Sequence, residues 1–338
     1  MSNYSYVATR ARSRRSRLLP AEAYTQLLNL ELSEIARYIQ DLEYRREIDR
    51  YGSKLSGADL IETALVDNLA GDVGDFLSFS TGRLREILMV YAERYRVENL
   101  KNILRGVNQQ MSPEDIERLV CPINQVDKEL YNRLYECKTI DDVISSLEGT
   151  TYHSDLKKAS ENRSQDSLQP LEDALDMAYY HHLVENVPSG GADADIYHSF
   201  VQLKVDVANI KTILRLRHRE IKGHNELLIS GGSIKTELLS SVQNINDLVN
   251  ALEGTKYHEL IAPHFGEGKA DLNSCVHDLD HYIANRTKRF SYLYPLSVLP
   301  VLDYLLRKER EVYNLRAIVR GKQTGLSCLL YTSDAADE

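Results

Sequence analysis

His277 and His281 stand four residues apart in the phrase HDLDH at 277–281. On a helix both imidazoles would share one face, the spacing with which paired histidines can hold a metal ion for hydrolysis. Asp278 and Asp280 would point elsewhere, and no second HExxH or HD element supports the pair, so a solvated helix face is the favoured reading. Phosphate chemistry would need GxxxxGK[ST], whose glycines admit the backbone and whose lysine brings charge. GEGKA at 266–270 and GKQTG at 321–325 both miss that spacing, and no nucleotide site is expected. There is no nucleophile elbow and no CxxC. Cys121, Cys137 and Cys275 stand isolated, which fits a reducing compartment. No catalytic residue, metal or cofactor is expected.

A repeated phrase says more. VENLKNILR at 97–105, VANIKTILR at 207–215 and VYNLRAIVR at 312–320 share Val, any, Asn, Leu/Ile, Lys/Arg, any, Ile, Leu/Val, Arg. Their asparagines, Asn99, Asn209 and Asn314, lie 110 and 105 residues apart, a period too long for a solenoid and suited to a small domain. Val97, Leu100 and Leu104 make one apolar stripe, and Lys101 with Arg105 lies on a neighbouring face. Lys211 with Arg215 and Arg316 with Arg320 repeat that pair. One reading has these cations pairing with acids of their own unit, such as Glu62, Glu172 or Asp280. The other sets three copies around an axis, lining a polar cavity that receives another subunit. Both can hold at once.

The elements that must carry these residues also repeat. TIDDVISSLEGTTYH at 139–153 matches NINDLVNALEGTKYH at 244–258 and, more faintly, EIARYIQDLEYRREI at 34–48. Acidic-apolar helices follow at 59–69 and 170–183, with a weaker counterpart at 274–283. The chain divides into units at 1–106, 107–222 and 223–327. Each is expected to hold a short helix such as 111–119, capped by Ser112 with Pro113 in its first turn. A second short helix ends at Gly149 or Gly254, and two long helices complete the unit. Connectors are expected at 159–170, 187–195 and 221–233. No apolar alternation argues for a sheet, so the prediction is all-α.

Composition agrees. Of 338 residues 43% are hydrophobic and 27% charged, as in ordinary globular chains. The net charge of −9 argues against a nucleic-acid partner, because counterion release at phosphates needs a clustered cationic face. The only concentrated basic patch is Arg10, Arg12, Arg14, Arg15 and Arg17, expected as a solvated helix end. The twenty-one tyrosines follow helical spacing and are expected at core edges. The most apolar stretch, 294–306, is too short to span a bilayer and holds Pro295, Pro300 and Asp303. A soluble protein is expected, meeting a membrane only through a partner. CLLYTSDAADE at 328–338 can be encoded by a transposase sequencing adaptor and is expected to be read-through rather than native sequence.

Through NLKNILRG, ANIKTILRLR and YNLRAIVRGK, with YSYVATRARSRRSRLL and SEIARYIQDLEYRREI beside them, residues 4–327 resemble the C subunit of A-type and V-type rotary ATPases, whose eukaryotic counterpart is the V-ATPase d subunit. The resemblance implies three similar helical domains arranged with pseudo-threefold symmetry as a funnel. It implies a non-catalytic central-stalk rotor component, a socket and spacer on the cytoplasmic face of the cell membrane. Its partners would be the D and F subunits of the central shaft and the membrane proteolipid ring, coupled during proton- or sodium-driven ATP synthesis or ATP-driven pumping. Asn99, Lys101, Arg105, Asn209, Lys211, Arg215, Asn314, Arg316 and Arg320 become candidates for shaft contact or framework. A free-standing helical scaffold and, behind it, a hydrolase using His277 and His281 are the alternatives.

Overall fold

The computed structural model describes residues 3–161, 167–190, 192–221, 223, 225–266 and 269–325. The first stretch folds as α1 (Tyr4–Arg15), α2 (Ala21–Leu28), α3 (Leu32–Gln40), α4 (Arg45–Tyr51), α5 (Gly57–Phe79) and α6 (Gly82–Asn108). The second gives α7 (Pro113–Arg118), α8 (Gln125–Tyr135), α9 (Ile140–Ser146), α10 (His153–Glu161), α11 (Gln169–Glu185) and α12 (Ala192–His218). The third gives α13 (Thr236–Ser240), α14 (Ile245–Ala251), α15 (His258–Ile261), α16 (Leu272–Leu293) and α17 (Leu299–Thr324). Apart from a two-residue antiparallel ladder, Phe265–Gly266 with Lys269–Ala270, and two single 3-10 turns, regular structure among the described residues is α-helix. The fold is all-α.

Local signals act as expected. The Ser112 side chain accepts from the Asp115 N–H with Pro113 in the first turn of α7. Thr139 and Asp142 form a capping box at α9. Gly149 and Gly254, just beyond α9 and α14, take φ of 84° and 77°, a region that a side chain rarely enters. The sequence pattern missed a third short helix in each stretch: α4, α10 and α15. These are mostly polar and bury one aliphatic residue each (Ile48, Leu156 and Ile261), too few to print a period. Helix α12 starts at Ala192, inside the expected break at 187–195, with Asp193 and Asp195 at its positive end. Helix α6 runs to Asn108, two residues past the expected boundary. The 328–338 segment, and residues 267–268 of GEGKA, lie outside the described residues.

The long helices pack in succession: α6 on α11, α12 on α16, and α17 back on α5 and α1. Each second long helix also grips the short-helix segment that comes next in the succession. Arg96 of α6 pairs with Asp127 of α8 at 2.9 Å. Asp206 of α12, fully buried, accepts from the Ile234 N–H at 3.0 Å and the Tyr257 hydroxyl at 2.8 Å. Glu311 of α17 accepts from the Tyr44 hydroxyl and, at 2.6 Å, from the Leu19 N–H. Arg96, Asp206 and Glu311 are separated by the same 110 and 105 residues as the asparagines. The last helix thus finds its partners at the beginning of the chain, and the succession closes on itself.

The tyrosines depart from expectation. Tyr44, Tyr91, Tyr131, Tyr197 and Tyr257 are among the largest fully buried side chains rather than core edges. Carboxylates make this feasible for some: Glu311 for Tyr44, Asp206 for Tyr257, and similarly Glu309 for Tyr95 and Asp72 for Tyr304. Burial, reinforced by the facing carboxylate, pushes the Tyr44 hydroxyl well above its ordinary pKa.

Glu311 also pairs with Lys308 at 3.1 Å, and both side chains are almost completely buried. Glu311→Ala leaves that ammonium without its carboxylate and is expected to cost about 3–5 kcal/mol in denaturant unfolding. Arg45→Ala, which removes an exposed pair with Asp41, is the control and should stay within about 0.5 kcal/mol.

Candidate functional site

Asn99 and Asn209 are buried and do the same thing. The Asn99 amide donates to the Cys121 carbonyl and accepts from the Cys121 N–H, both at 2.8 Å. Asn209 holds Ile229 in the same two-bond grip, both bonds again at 2.8 Å. Each asparagine clamps the segment that leads out of its own helix, which is a framework role. Asn314 is half-buried; the corresponding stretch of chain lies outside the described residues.

The cations are engaged too. Lys101 is buried and reaches Asp176 at 2.5 Å and Glu98 at 3.3 Å. Arg105 forks onto Glu172 at 2.7 and 2.8 Å. Lys211 meets Asp280 at 2.5 Å, and Arg215 meets Asp173 at 2.8 Å. Arg316 and Arg320 share Glu62, at 3.6 and 2.6 Å. Glu172, Asp280 and Glu62 are the acids expected from sequence, but they belong to the neighbouring unit. Arg105 crosses from α6 to α11, Lys211 from α12 to α16, and Arg320 from α17 to α5. The own-unit expectation is corrected for these three acids, because the second long helix of each stretch packs on the first long helix of the next, while Arg215 with Asp173 and Lys101 with Glu98 stay inside their own units.

Between α6, α11 and α12 these side chains leave a cleft of about 280 Å³. Its charged lining is balanced: Glu98, Asp173 and Asp176 against Lys101, Lys211 and Arg215, with Tyr180, Thr212 and Ile229 completing the wall. Sequence reasoning missed the group beside it. Arg94 of α6 pairs with Glu309 of α17 at 2.9 Å and donates to the Tyr91 hydroxyl at 2.6 Å, while Tyr95 donates to Glu309. Lys204 of α12 lies in the same electrostatic group. Arg94, Lys204 and Glu309 obey the 110 and 105 steps, so equivalent positions of three helices fall within one electrostatic environment, Arg94 and Glu309 in direct contact. The residue types differ, which hid them from a search for a repeated phrase; the period alone was the available signal. Burial, then the Arg94 cation, pull the Lys204 ammonium down to about 7, while Glu309 and Asp280 oppose them.

The other candidates are dispersed. The arginine run is no merely solvated helix end: Arg14 pairs with Asp72 and Asp75, Arg15 with Asp303, and Arg17 with Glu43. The His277 and His281 rings sit 5.8 Å apart, yet among the described residues no group of three His, Cys, Asp or Glu could hold a metal ion. GKQTG closes the C-terminal end of α17, where carbonyls rather than N–H groups face outward, unsuited to a phosphate. Burial pushes the Cys121 and Cys275 thiols up to about 12, away from the reactive thiolate.

Fold and contacts together define an all-helical scaffold in which ion pairs join long helices distant in the chain. The chain belongs to the ATP synthase (C/AC39) subunit family, whose sequence model matches residues 7–328. It is 34% identical over 331 residues to the C subunit of the A-type ATP synthase of Haloferax volcanii, covering 96% of this chain and 95% of that one. The protein of the same description from Methanosarcina mazei is also 34% identical, with 96% and 91% covered. That of Halobacterium salinarum is 32% identical over 335 residues, with 96% and 95% covered.

Lys204 provides a test of this shared electrostatic environment. Its folded pKa of about 7 lies below the roughly 10.4 of an unfolded lysine. The unfolded chain therefore binds the extra proton through that window, and stability rises as pH climbs from about 7; below pH 7 the full penalty stands. Arg94 and Lys211 deepen the penalty, and Glu309 and Asp280 offset it. Thermal melts at pH 6.5 and 9 should show the wild-type chain gaining relative to Lys204→Met. Parallel pH profiles for the two would refute the assignment.

Proposed function

We propose that this chain is the non-catalytic central-stalk component of an A-type rotary ATPase, on the cytoplasmic face of the cell membrane. It acts as socket and spacer between the shaft, built of the D and F subunits, and the proteolipid ring. The ion driving synthesis, or pumped at the expense of ATP, would be a proton or sodium. Family membership supports the complex. No helix among the described residues is long and apolar enough to cross a membrane, so attachment falls to surfaces.

The observation that carries the mechanical reading is closure of the helix succession by α17 on α5 and α1. Torque applied to an open row of three units would shear its free ends. A closed row passes the load from each unit to its neighbour through packed helices and buried ion pairs, which deform little. Three such units around an axis form the proposed funnel, and the balanced cleft of α6, α11 and α12 is proposed as part of its socket. The nine phrase residues then serve chiefly as framework, and exposed groups beside them, such as Glu98, make the contact. A free-standing scaffold would need none of these partners. A hydrolase at His277 and His281 has no third ligand among the described residues.

A cleft with three acids and three bases exerts little long-range pull, so its contacts are short-ranged. Capture of the full chain on an immobilised D–F pair should therefore weaken only slightly between 50 and 200 mM salt, roughly threefold or less. Glu98→Gln should reduce capture severalfold while leaving helicity unchanged and stability within about 1 kcal/mol, because Asp176 still pairs with Lys101. Absence of capture by D–F, or of co-purification with the ring, would favour the free-standing scaffold.

A further inference from the structure

The chain carries fifty acidic residues, yet 1–21 and 281–302 have none. The fold brings these two stretches together. The Arg12 guanidinium donates to the Pro295 carbonyl at 3.1 Å, and Arg15 donates to the Tyr292 hydroxyl at 3.1 Å while stacking on its ring. Two residues earlier on α1, Arg10 lies over the Tyr6 and Phe79 rings, 4.9 and 4.2 Å from their centroids. Phe79 ends α5 and Pro295 follows α16, so the tips of the first and third long hairpins flank α1. The second tip joins them, because Arg83 donates to the Ser189 and Gly190 carbonyls. All three hairpin tips gather at one end of the molecule.

Around the turn at 292–296 that end is apolar and cationic, while the acids Glu86, Asp193 and Asp195 lie toward the second tip. Tyr292, Leu293, Tyr294 and Leu296 are 61%, 58%, 42% and 60% exposed, and Tyr6 adds to them at 49%. Four large side chains within five residues of one turn are more than scattered surface apolarity. Around them Arg10, Arg12, Lys288 and Arg289 are exposed, and among the described residues no acid forms an ion pair with them. On α16, Lys288 shares a face with Tyr292, and Arg289 with Leu293, in the i, i+4 relation. Tyrosines and leucines ringed by arginine and lysine, on a chain of net charge −9, are complementary to one kind of surface: a layer of anionic headgroups over hydrocarbon.

We infer that the turn at 292–296, with Arg10, Arg12, Lys288 and Arg289, docks directly on an anionic phospholipid surface. The tyrosine rings lie at headgroup level, the leucines enter the hydrocarbon boundary, and the cations meet phosphates. The inference adds a lipid contact to the expected attachment through the ring, and it does not depend on the shaft reading. This end lies about 30 Å along α6 from Lys101 and Arg105, so lipid and cleft ligand do not compete.

Flotation of the full chain with vesicles tests it. Vesicles of phosphatidylcholine with 40% phosphatidylglycerol should carry the chain about tenfold or more better than pure phosphatidylcholine at low salt, with the difference shrinking at 0.5 M salt. K288E/R289E should remove most of that preference, and L293S/L296S should reduce binding about tenfold or more to the anionic vesicles. Circular dichroism and melting confirm that these surface variants fold, and capture by D–F should be unaffected. Equal binding to both vesicle types would overturn the inference. So would absence of vesicle binding alongside loss of capture by detergent-solubilised ring in L293S/L296S, which would make the patch a protein contact. A dimer in sedimentation that L293S/L296S dissolves would equally overturn it, in favour of self-association.

Discussion

A second long helix that must find its polar partners on the next stretch of chain is the constraint from which the rest follows. In α6, α12 and α17 an apolar stripe carries the helix into the core, and charged side chains go with it. Arg96, Asp206 and Glu311 are drawn into or beside low-polarity surroundings, where a lone charge is untenable. Their partners, Asp127 on α8, Tyr257 with Ile234, and Tyr44 with Leu19, lie on the short helices that come next in the succession or in the turns joining them. For α17 the succession has returned to the start of the chain.

That return couples residues far apart in sequence. Glu311 and Leu19 are 292 positions apart, Arg15 and Asp303 288, and Arg320 and Glu62 258. Such contacts repay their loop-closure entropy only after most of the chain has folded. The local helices and the α6–α11 and α12–α16 contacts can form first, and α17 docks onto a surface already built. The buried tyrosines serve this docking. Tyr44, Tyr95 and Tyr304 each offer a large apolar ring to the core and one hydroxyl to a carboxylate of another long helix or a neighbouring segment.

The two ends of the long hairpins differ in kind. At the far ends of α6 and α12 every phrase cation meets an acid, and the cleft there carries as many acids as bases. At the turn between α16 and α17, with α1 beside it, cations outnumber acids and aromatic side chains stand in solvent. Helices of up to 27 residues, about 40 Å long, hold these two ends apart.

Much of this was legible along the chain. Ser112 and Pro113 marked the start of α7, Gly149 and Gly254 marked helix ends, and the absence of alternation pointed to an all-α fold. Glu62, Glu172 and Asp280 could be named as partners because partly buried cations need acids of matching reach. What sequence could not give was the side from which each acid comes. Helical periodicity states which residues share a face; it is silent on which other helix that face meets. That choice rests on packing across a hundred or more residues. Only there do Arg105, Lys211 and Arg320 turn out to cross between units, and Arg94 and Glu309 to meet although no phrase links them. The acid-free stretches 1–21 and 281–302 were visible from the start, but only the docking of α1 beside the α16–α17 turn made them one surface.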